Sequence, residues 1–325
     1  MQLTRFLRLT LRPHFRVSIA LAAAIALAPC AMAQRAKPAQ KPAGAQWSSQ
    51  VCAPGVELRL TSKEPRQGSL QLVEVKSAKP LAEVGGEWDG NHLQFWSSGA
   101  SAEKTATDVR RALVGIDLEQ ATGPHDLTVS VKTAEGDAAT CTATLVVKDG
   151  RYAVEKLSVA PQFVEPNAEQ LARAEEERKR LREIFATVTP EKMWNGRFRI
   201  PITGATKGGN FGTRRVLNGQ PSSPHSGVDF PAPSGTPVHA AQRGRVVLAE
   251  PLYFSGNTVI VDHGLGVYTF YGHLSAFNVQ AGDLVEAGSV LGKVGATGRV
   301  TGPHLHWGLT VDRARVNSLD IVRLL

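Results

Sequence analysis

The residues best suited to chemistry lie near the C-terminal end, in Gly302-Pro303-His304-Leu305-His306-Trp307-Gly308. Two histidines two residues apart on a strand face the same side, with Cα atoms roughly 6.7 Å apart at ~3.3 Å rise per residue. One imidazole can then ligate a metal while the other reaches a substrate held there. An apolar strand with two satisfied core histidines would be spelled the same way, so other residues must decide. Six of the nine histidines fall in the last 101 residues. Pro224-His225-Ser226-Gly227-Val228-Asp229-Phe230 offers an imidazole and a carboxylate, both ordinary zinc ligands. Fully extended, the His225-to-Asp229 segment spans about 13 Å, too far for one ion, so the chain must bend, and Gly227 permits the bend. Tyr271-Gly272-His273-Leu274 closes an apolar run and sets His273 where a strand meets a loop. His263, after Asp262 at a turn, and His239, in a strand, read as supports of the fold. His92 and His125 have no metal-ligand company. Arg214 and Arg215 read as cations facing substrate carboxylates or solvent, and are not placed in the site.

Taken together, His225 with Asp229, then Tyr271-Gly272-His273-Leu274, then Gly302-Pro303-His304-Leu305-His306 resemble the lysostaphin-like (LytM-type) zinc metallopeptidases. Asn210-Phe211-Gly212-Thr213-Arg214-Arg215, Ser234-Gly235-Thr236-Pro237-Val238 and Asp262-His263-Gly264 extend the resemblance over about residues 198–320. The resemblance implies that His225, Asp229 and His306 hold one zinc ion per chain. Three protein ligands leave the open coordination position that a catalytic zinc needs. It implies His304 as general base and His273 as the group that orients the water or stabilises the developing oxyanion. It also implies a substrate, the peptide portion of peptidoglycan, with stem-peptide cross-links as the bonds cut. The alternative is a non-hydrolytic LytM-type regulator that activates other cell-wall hydrolases. Cleavage of other peptides by the same site is a third reading.

These groups need a scaffold, and the pattern predicts an all-β chain. Residues 51–160 carry strand candidates at 56–60, 70–75, 91–96, 112–118, 127–132, 140–147 and 152–157, separated by Gly, Pro, Asp and Lys. About seven short strands in about 100 residues suggest an Ig-like β-sandwich. A linker helix is expected over 166–190, capped by Asn167 with Gln170 three residues on, and carrying Leu171, Ala174, Leu181 and Phe185 as a narrow apolar stripe. It reads as a solvated linker packed by one edge, or as a contact helix for a regulatory partner. Residues 197–325 form the peptidase-like β domain, with strands at 236–240, 245–249, 257–262, 266–271, 290–294 and 305–310 and tight glycine turns between them.

The formal net charge is +8, of which Arg5, Arg8, Arg12 and Arg16 supply four. Those arginines precede the apolar run 17–28 and the small-residue site Ala31-Met32-Ala33, so residues 1–33 read as a cleaved signal peptide. The run falls short of the ~20 residues of a membrane span, and no stable span is expected after cleavage. Residues 34–50, rich in Ala, Pro, Lys, Gln and Ser, read as a flexible leader. Export to the periplasm or cell envelope follows, and the modest remaining charge suits work beside an anionic wall polymer. No basic run studded with aromatics points to nucleic acid. Loss of the signal removes Cys30 and leaves Cys52 and Cys141, which in an exported chain are expected to pair. Such a bridge contributes roughly 4–5 kcal/mol in the chain-entropy account.

Overall fold

The computed structural model describes residues 47–98, 108–206 and 208–325. The signal peptide expected over 1–33 and the leader up to residue 46 lie outside the described residues. Ser48–Gln50 were expected in the leader, but they open a strand, Ser48–Ala53, that pairs antiparallel with Val56–Leu60. Trp47 explains the difference. It is half-buried against the core, and the Arg59 guanidinium lies 4.7 Å above its ring.

Two antiparallel sheets face each other across residues 48–147. One runs in the order Ser48–Ala53, Val56–Leu60, Leu70–Ser77, Asp108–Gly115, Trp96–Ser97. The other runs Asn91–His92, Leu81–Trp88, Gly123–Thr133, Ala138–Val147. Alternation produces the interface: Leu58, Leu60, Val73, Val75, Leu127, Val129, Leu145 and Val147 all point inward and are buried. Cys52 and Cys141 form a disulfide with Cα atoms 5.3 Å apart. It joins the outermost strand of one sheet to that of the other, so it closes an open edge of the sandwich. The immunoglobulin pattern would place the bridge between the B and F strands instead.

Two strand expectations need correction here. The single strand expected at 91–96 is two short strands, Asn91–His92 and Trp96–Ser97, one in each sheet, because the chain crosses between sheets. The strand expected at 152–157 leaves the sandwich altogether. Val154–Leu157 pairs in parallel with Arg214–Leu217, and so ties a stretch beside the site to the sandwich end of the chain.

The C-terminal sheet holds the chemistry. Its main path is Gly227–Pro231, His304–Val311, Val267–Phe277, Gly256–Asp262, Gly244–Leu252, Leu284–Val285, antiparallel throughout. Val290–Val294 pairs with Pro237–His239 and with the end of Val267–Phe277. Along His304–Val311, Leu305 and Trp307 are fully buried while His304 and His306 are only partly covered, the alternation expected of a strand with one face on the core and one on a cleft.

The helix, α1 (Ala168–Ala186), begins as its sequence predicts. Gln170 N–H donates to Asn167 Oδ1 at 2.9 Å, and Asn167 N–H donates to Gln170 Oε1 at 3.0 Å. Its stripe packs on the C-terminal sheet. Leu181, Ile184 and Phe185 cover Leu248, Leu252, Ile260 and Tyr268, and Phe185 meets Tyr268 edge-on at 5.5 Å. Most of the apolar stripe is therefore covered by this chain's own sheet. The sandwich also packs on the C-terminal domain. Leu70, Leu72 and Leu113 share a core with Val311, Val316 and Ile321, and the Arg315 guanidinium donates to both oxygens of Asp117 at 2.7 and 3.1 Å. Among the described residues, no helix is long and apolar enough to cross a membrane.

Candidate metal centre and active site

Strand register brings the ligand types together. Asp229 lies directly opposite His306, and Pro231 opposite His304, in the pairing of Gly227–Pro231 with His304–Val311. Directly opposed residues share a face and approach within side-chain reach. On the far side of His304–Val311, Gly272 pairs with His306, which delivers the next residue, His273. His273 has φ +63°, a left-handed conformation rare outside glycine. The pairing with Gly256–Asp262 shifts register there, so the strand turns His273 toward the cleft.

His225 arrives from the turn before its strand. Loop residues hold it on both sides: Gly212 N–H donates to His225 O at 2.7 Å, and His225 N–H donates to Thr213 O at 3.0 Å. The bend required between His225 and Asp229 is present, but Gly227 is not its cause. Gly227 is absent from the positive-φ positions and is already in the strand. A Cβ there would stand 2.6 Å from Cε1 and Nε2 of His306. Glycine is needed so that the imidazole of the opposing strand can lie close against the backbone.

Three donor atoms result. His225 Nε2 is 2.8 Å from His306 Nδ1 and 3.0 Å from Asp229 Oδ1, and His306 Nδ1 is 3.1 Å from the same oxygen. This is the cluster of metal-ligating side chains found among the described residues. Tetrahedral ligands at ~2.0–2.1 Å from an ion are separated by about 3.3 Å, so the triangle needs only a slight expansion to accept one. The outer contacts agree with such use. A carbonyl has no proton to give, so the 2.8 Å contact from Asn210 O to His225 Nδ1 fixes that proton on Nδ1 and leaves Nε2 as a lone pair. Burial pushes the Asp229 carboxyl up, but the adjoining imidazoles of His225 and His306 outweigh it and hold the group well below the usual carboxylate range.

His304 and His273 stand beside this triangle with their rings 4.8 Å apart. Each is oriented by a carbonyl, His304 Nδ1 by Gly302 O and His273 Nδ1 by Thr297 O, both at 2.8 Å. By the same reasoning, a neutral ring at either position presents an unprotonated Nε2. His304 Nε2 lies 3.7 Å from Asp229 Oδ1. Burial, followed by the neighbouring His306 and His304, pushes His273 down to about 3, so its ring is neutral at pH 7. His263 and His239 stay outside. His263 is fully buried between Arg243 O at 2.8 Å and Thr269 Oγ1 at 2.7 Å, and burial pushes it down to about 4. His239 contacts Gly288 O at 2.9 Å.

Three further features belong to this site. Arg215, read as lying outside the site, donates from Nη2 to Asp229 Oδ2 at 3.1 Å, so it steadies the carboxylate oxygen that faces away from the imidazoles. Arg299 lines the same opening. Helix α1 contributes Arg178, Lys179 and Arg182 to one wall of a groove of about 990 Å³ that reaches His225, His273 and His306. No spacing in the sequence links these residues to the histidines.

Residues 223–318 match the family model described as Peptidase family M23. The C-terminal domain of this chain belongs to peptidase family M23. Among its M23 relatives, the peptidoglycan DD-endopeptidase ShyA of Vibrio cholerae is 44% identical over 97 residues, 30% of this chain and 23% of that protein. The glycyl-glycine endopeptidase ALE-1 of Staphylococcus capitis is 46% identical over 85 residues, 26% of this chain and 24% of that one. This chain therefore spans about a quarter of the length of these curated M23 relatives. A crystal structure described as a peptidase M23 from Pseudomonas aeruginosa is 28% identical, with a TM-score of 0.58, over 81% of this chain and 96% of that one. The M23 likeness to that structure extends beyond the site into the sandwich and helix.

Proposed function

We propose that this chain is an exported zinc endopeptidase that hydrolyses peptide bonds in peptidoglycan stem peptides or cross-links. The observation that carries the reading is the triangle of His225, Asp229 and His306 donors, with two further imidazoles presenting lone pairs beside it. Two imidazoles and a carboxylate are the donor set of a catalytic zinc site with one position open. A zinc ion bound there supplies Lewis acidity, which acidifies water and polarises the scissile carbonyl.

The remaining work falls to the chain. His304 Nε2, the lone pair nearer Asp229, takes the proton of the attacking water as general base and returns it to the leaving amine. His273 accepts the water's second hydrogen and so fixes the direction of attack. Its Nδ1 proton is held by Thr297 O, so Nε2 has none to offer an oxyanion, and the water-orienting role is preferred to oxyanion stabilisation. Arg215 keeps Asp229 oriented from the outer oxygen. The groove between α1 and the sheet is open enough for an extended peptide, and its walls suit a substrate carrying negative charge.

The wall substrate is taken from the M23 relatives named for peptidoglycan and glycyl-glycine cleavage. A chain with that substrate works in the cell envelope, as the signal-like residues 1–33 also suggest. Incubating the full chain with purified peptidoglycan, with and without a zinc chelator, and weighing the released fragments tests the reading. Chelator-sensitive release of peptide fragments by the parent, and none by His304→Ala, is the expected result. Indifference to both chelator and substitution would overturn hydrolysis and favour a regulator that acts without cutting.

A further inference from the structure

Two arginines beside the metal donors have unused hydrogen-bonding capacity. Arg215 commits Nη2 to Asp229, while its Nε is buried without a hydrogen-bond partner. Arg299 lies 4.7 Å over the face of Phe254. Stacking fixes the plane of the guanidinium and leaves its rim of N–H donors free. The influences on Arg299 are burial, then repulsion from Arg215, and both depress its affinity for a proton; no acid offsets them. Arg215 has Asp229 as its anion, but Arg299 is partly desolvated beside a like charge, a costly arrangement that a bound anion would relieve.

The surroundings point the same way. Both arginines line the large groove beside His225, His273 and His306, and both line the smaller hollow that reaches Asp229 and His304. The large groove is lined by seven Arg and Lys side chains and one acid, Glu183; Arg178, Arg182 and Arg315 are paired with acids outside that lining, whereas Arg299 is not. The acids of the smaller hollow are Glu155 and Asp229. The backbone holds Arg299 in place as well, since its N–H donates to Phe254 O at 2.8 Å.

We propose that Arg215 and Arg299 receive a free carboxylate of the peptide substrate, carried within one residue of the scissile amide. A guanidinium fork matches a carboxylate with two parallel hydrogen bonds, and a pair of forks can grip both oxygens. The inference rests on the peptidase reading and sharpens it. Cross-linked stem peptides carry carboxylates on residues that flank the cross-link, whereas the interior of a glycine bridge has none. This site therefore selects acidic cross-links over neutral bridges. Arg299 acts on substrate alone, and Arg215 serves both the substrate and Asp229.

The test uses two synthetic peptides that differ only in a carboxylate or a carboxamide beside the scissile bond. With the zinc-loaded full chain, kcat/KM is expected to favour the acid on the order of 10- to 100-fold, the value of charged hydrogen bonds in a shielded site. In Arg299→Gln the ratio should collapse towards one, and Arg299→Lys should recover part of it. A ratio near one in the parent, or a ratio unchanged in Arg299→Gln, overturns the proposal. Calorimetric binding of both peptides to full-chain His304→Ala separates this inference from the one it rests on. Preference for the acid without any cleavage by the parent would keep the receptor and remove the peptidase reading. Equal binding of acid and amide would remove the receptor whatever the activity.

Discussion

Replacing Gly227 with alanine adds one methyl group and aims it at a single target. The new Cβ would meet Cε1 and Nε2 of His306 at 2.6 Å and Trp307 O at 2.9 Å. Ordinary carbon contacts lie at about 3.5–4.0 Å, so the imidazole must retreat by roughly 1 Å. The far side of the ring offers little room, because Phe270 stands edge-on at 5.7 Å. Metal sites tolerate displacements of only about 0.2 Å in ligand distance. Disturbing a group that merely orients a ligand already costs about 10–100-fold in metal affinity. Moving the ligand itself should cost about 100-fold or more, equivalent to about 2.7 kcal/mol. The fold should survive, because Gly227 is not in the left-handed region and overpacking typically costs about 1–3 kcal/mol. Competition against a chromophoric zinc chelator measures the affinity, and thermal unfolding of the metal-free protein measures the fold. Gly302→Ala is the control, since a Cβ there has no atom within 4 Å. Zinc affinity of a folded Gly227→Ala variant within threefold of the parent, or an equal loss in Gly302→Ala, would show that the space beside His306 does not govern metal binding.

Other substitutions separate the parts of the account. His304→Ala should keep its zinc and lose about 10²–10⁴-fold in kcat; a parallel loss of zinc, read by metal analysis, would make His304 a ligand instead. Cys52→Ser should lower the free energy of unfolding by about 2–5 kcal/mol, and reductant should then have no further effect on its denaturation curve. Asp312 gives a pH signature, because burial pushes its carboxyl up to about 7. The folded state then binds the proton more tightly than the unfolded chain. Its contribution is fully present below about pH 4 and is lost as pH rises through about 7. Asp312→Asn should therefore outlast the parent in urea by roughly 2–4 kcal/mol at pH 8, by less at pH 5, and by nothing near pH 3.5. An equal advantage at pH 8 and pH 3.5 would refute it.

The parts of the site that were legible are those whose logic is local. Alternation alone places His304 and His306 on one face and Leu305 and Trp307 on the other. Asn167 and Gln170 cap α1 through bonds that span three residues. What the sequence hides depends on contacts between distant segments. Arg215 reaches Asp229 from the strand Arg214–Leu217, which pairs with Val154–Leu157 some sixty residues earlier, and no periodicity records that pairing. Arg299 is positioned by the ring of Phe254. Gly227 was read as a hinge because a glycine required for space is spelled like one required for freedom. The strand Leu81–Trp88 is hidden in the sequence for a similar reason, since Gly85-Gly86 is spelled like a turn. There a Cβ on Gly86 would press to 3.0 Å from Thr128 O of the neighbouring strand.

On the proposed function, five side chains from three adjacent strands and the turn before one of them form a single zinc-dependent catalytic centre. Titrating the metal-free full chain with zinc, while following peptide release from peptidoglycan, tests it most directly. The expected result is no release without zinc, a linear rise, and a sharp break at one equivalent per chain, with no rise in His306→Ala. Release without metal, or a rise in His306→Ala equal to the parent's, would contradict it.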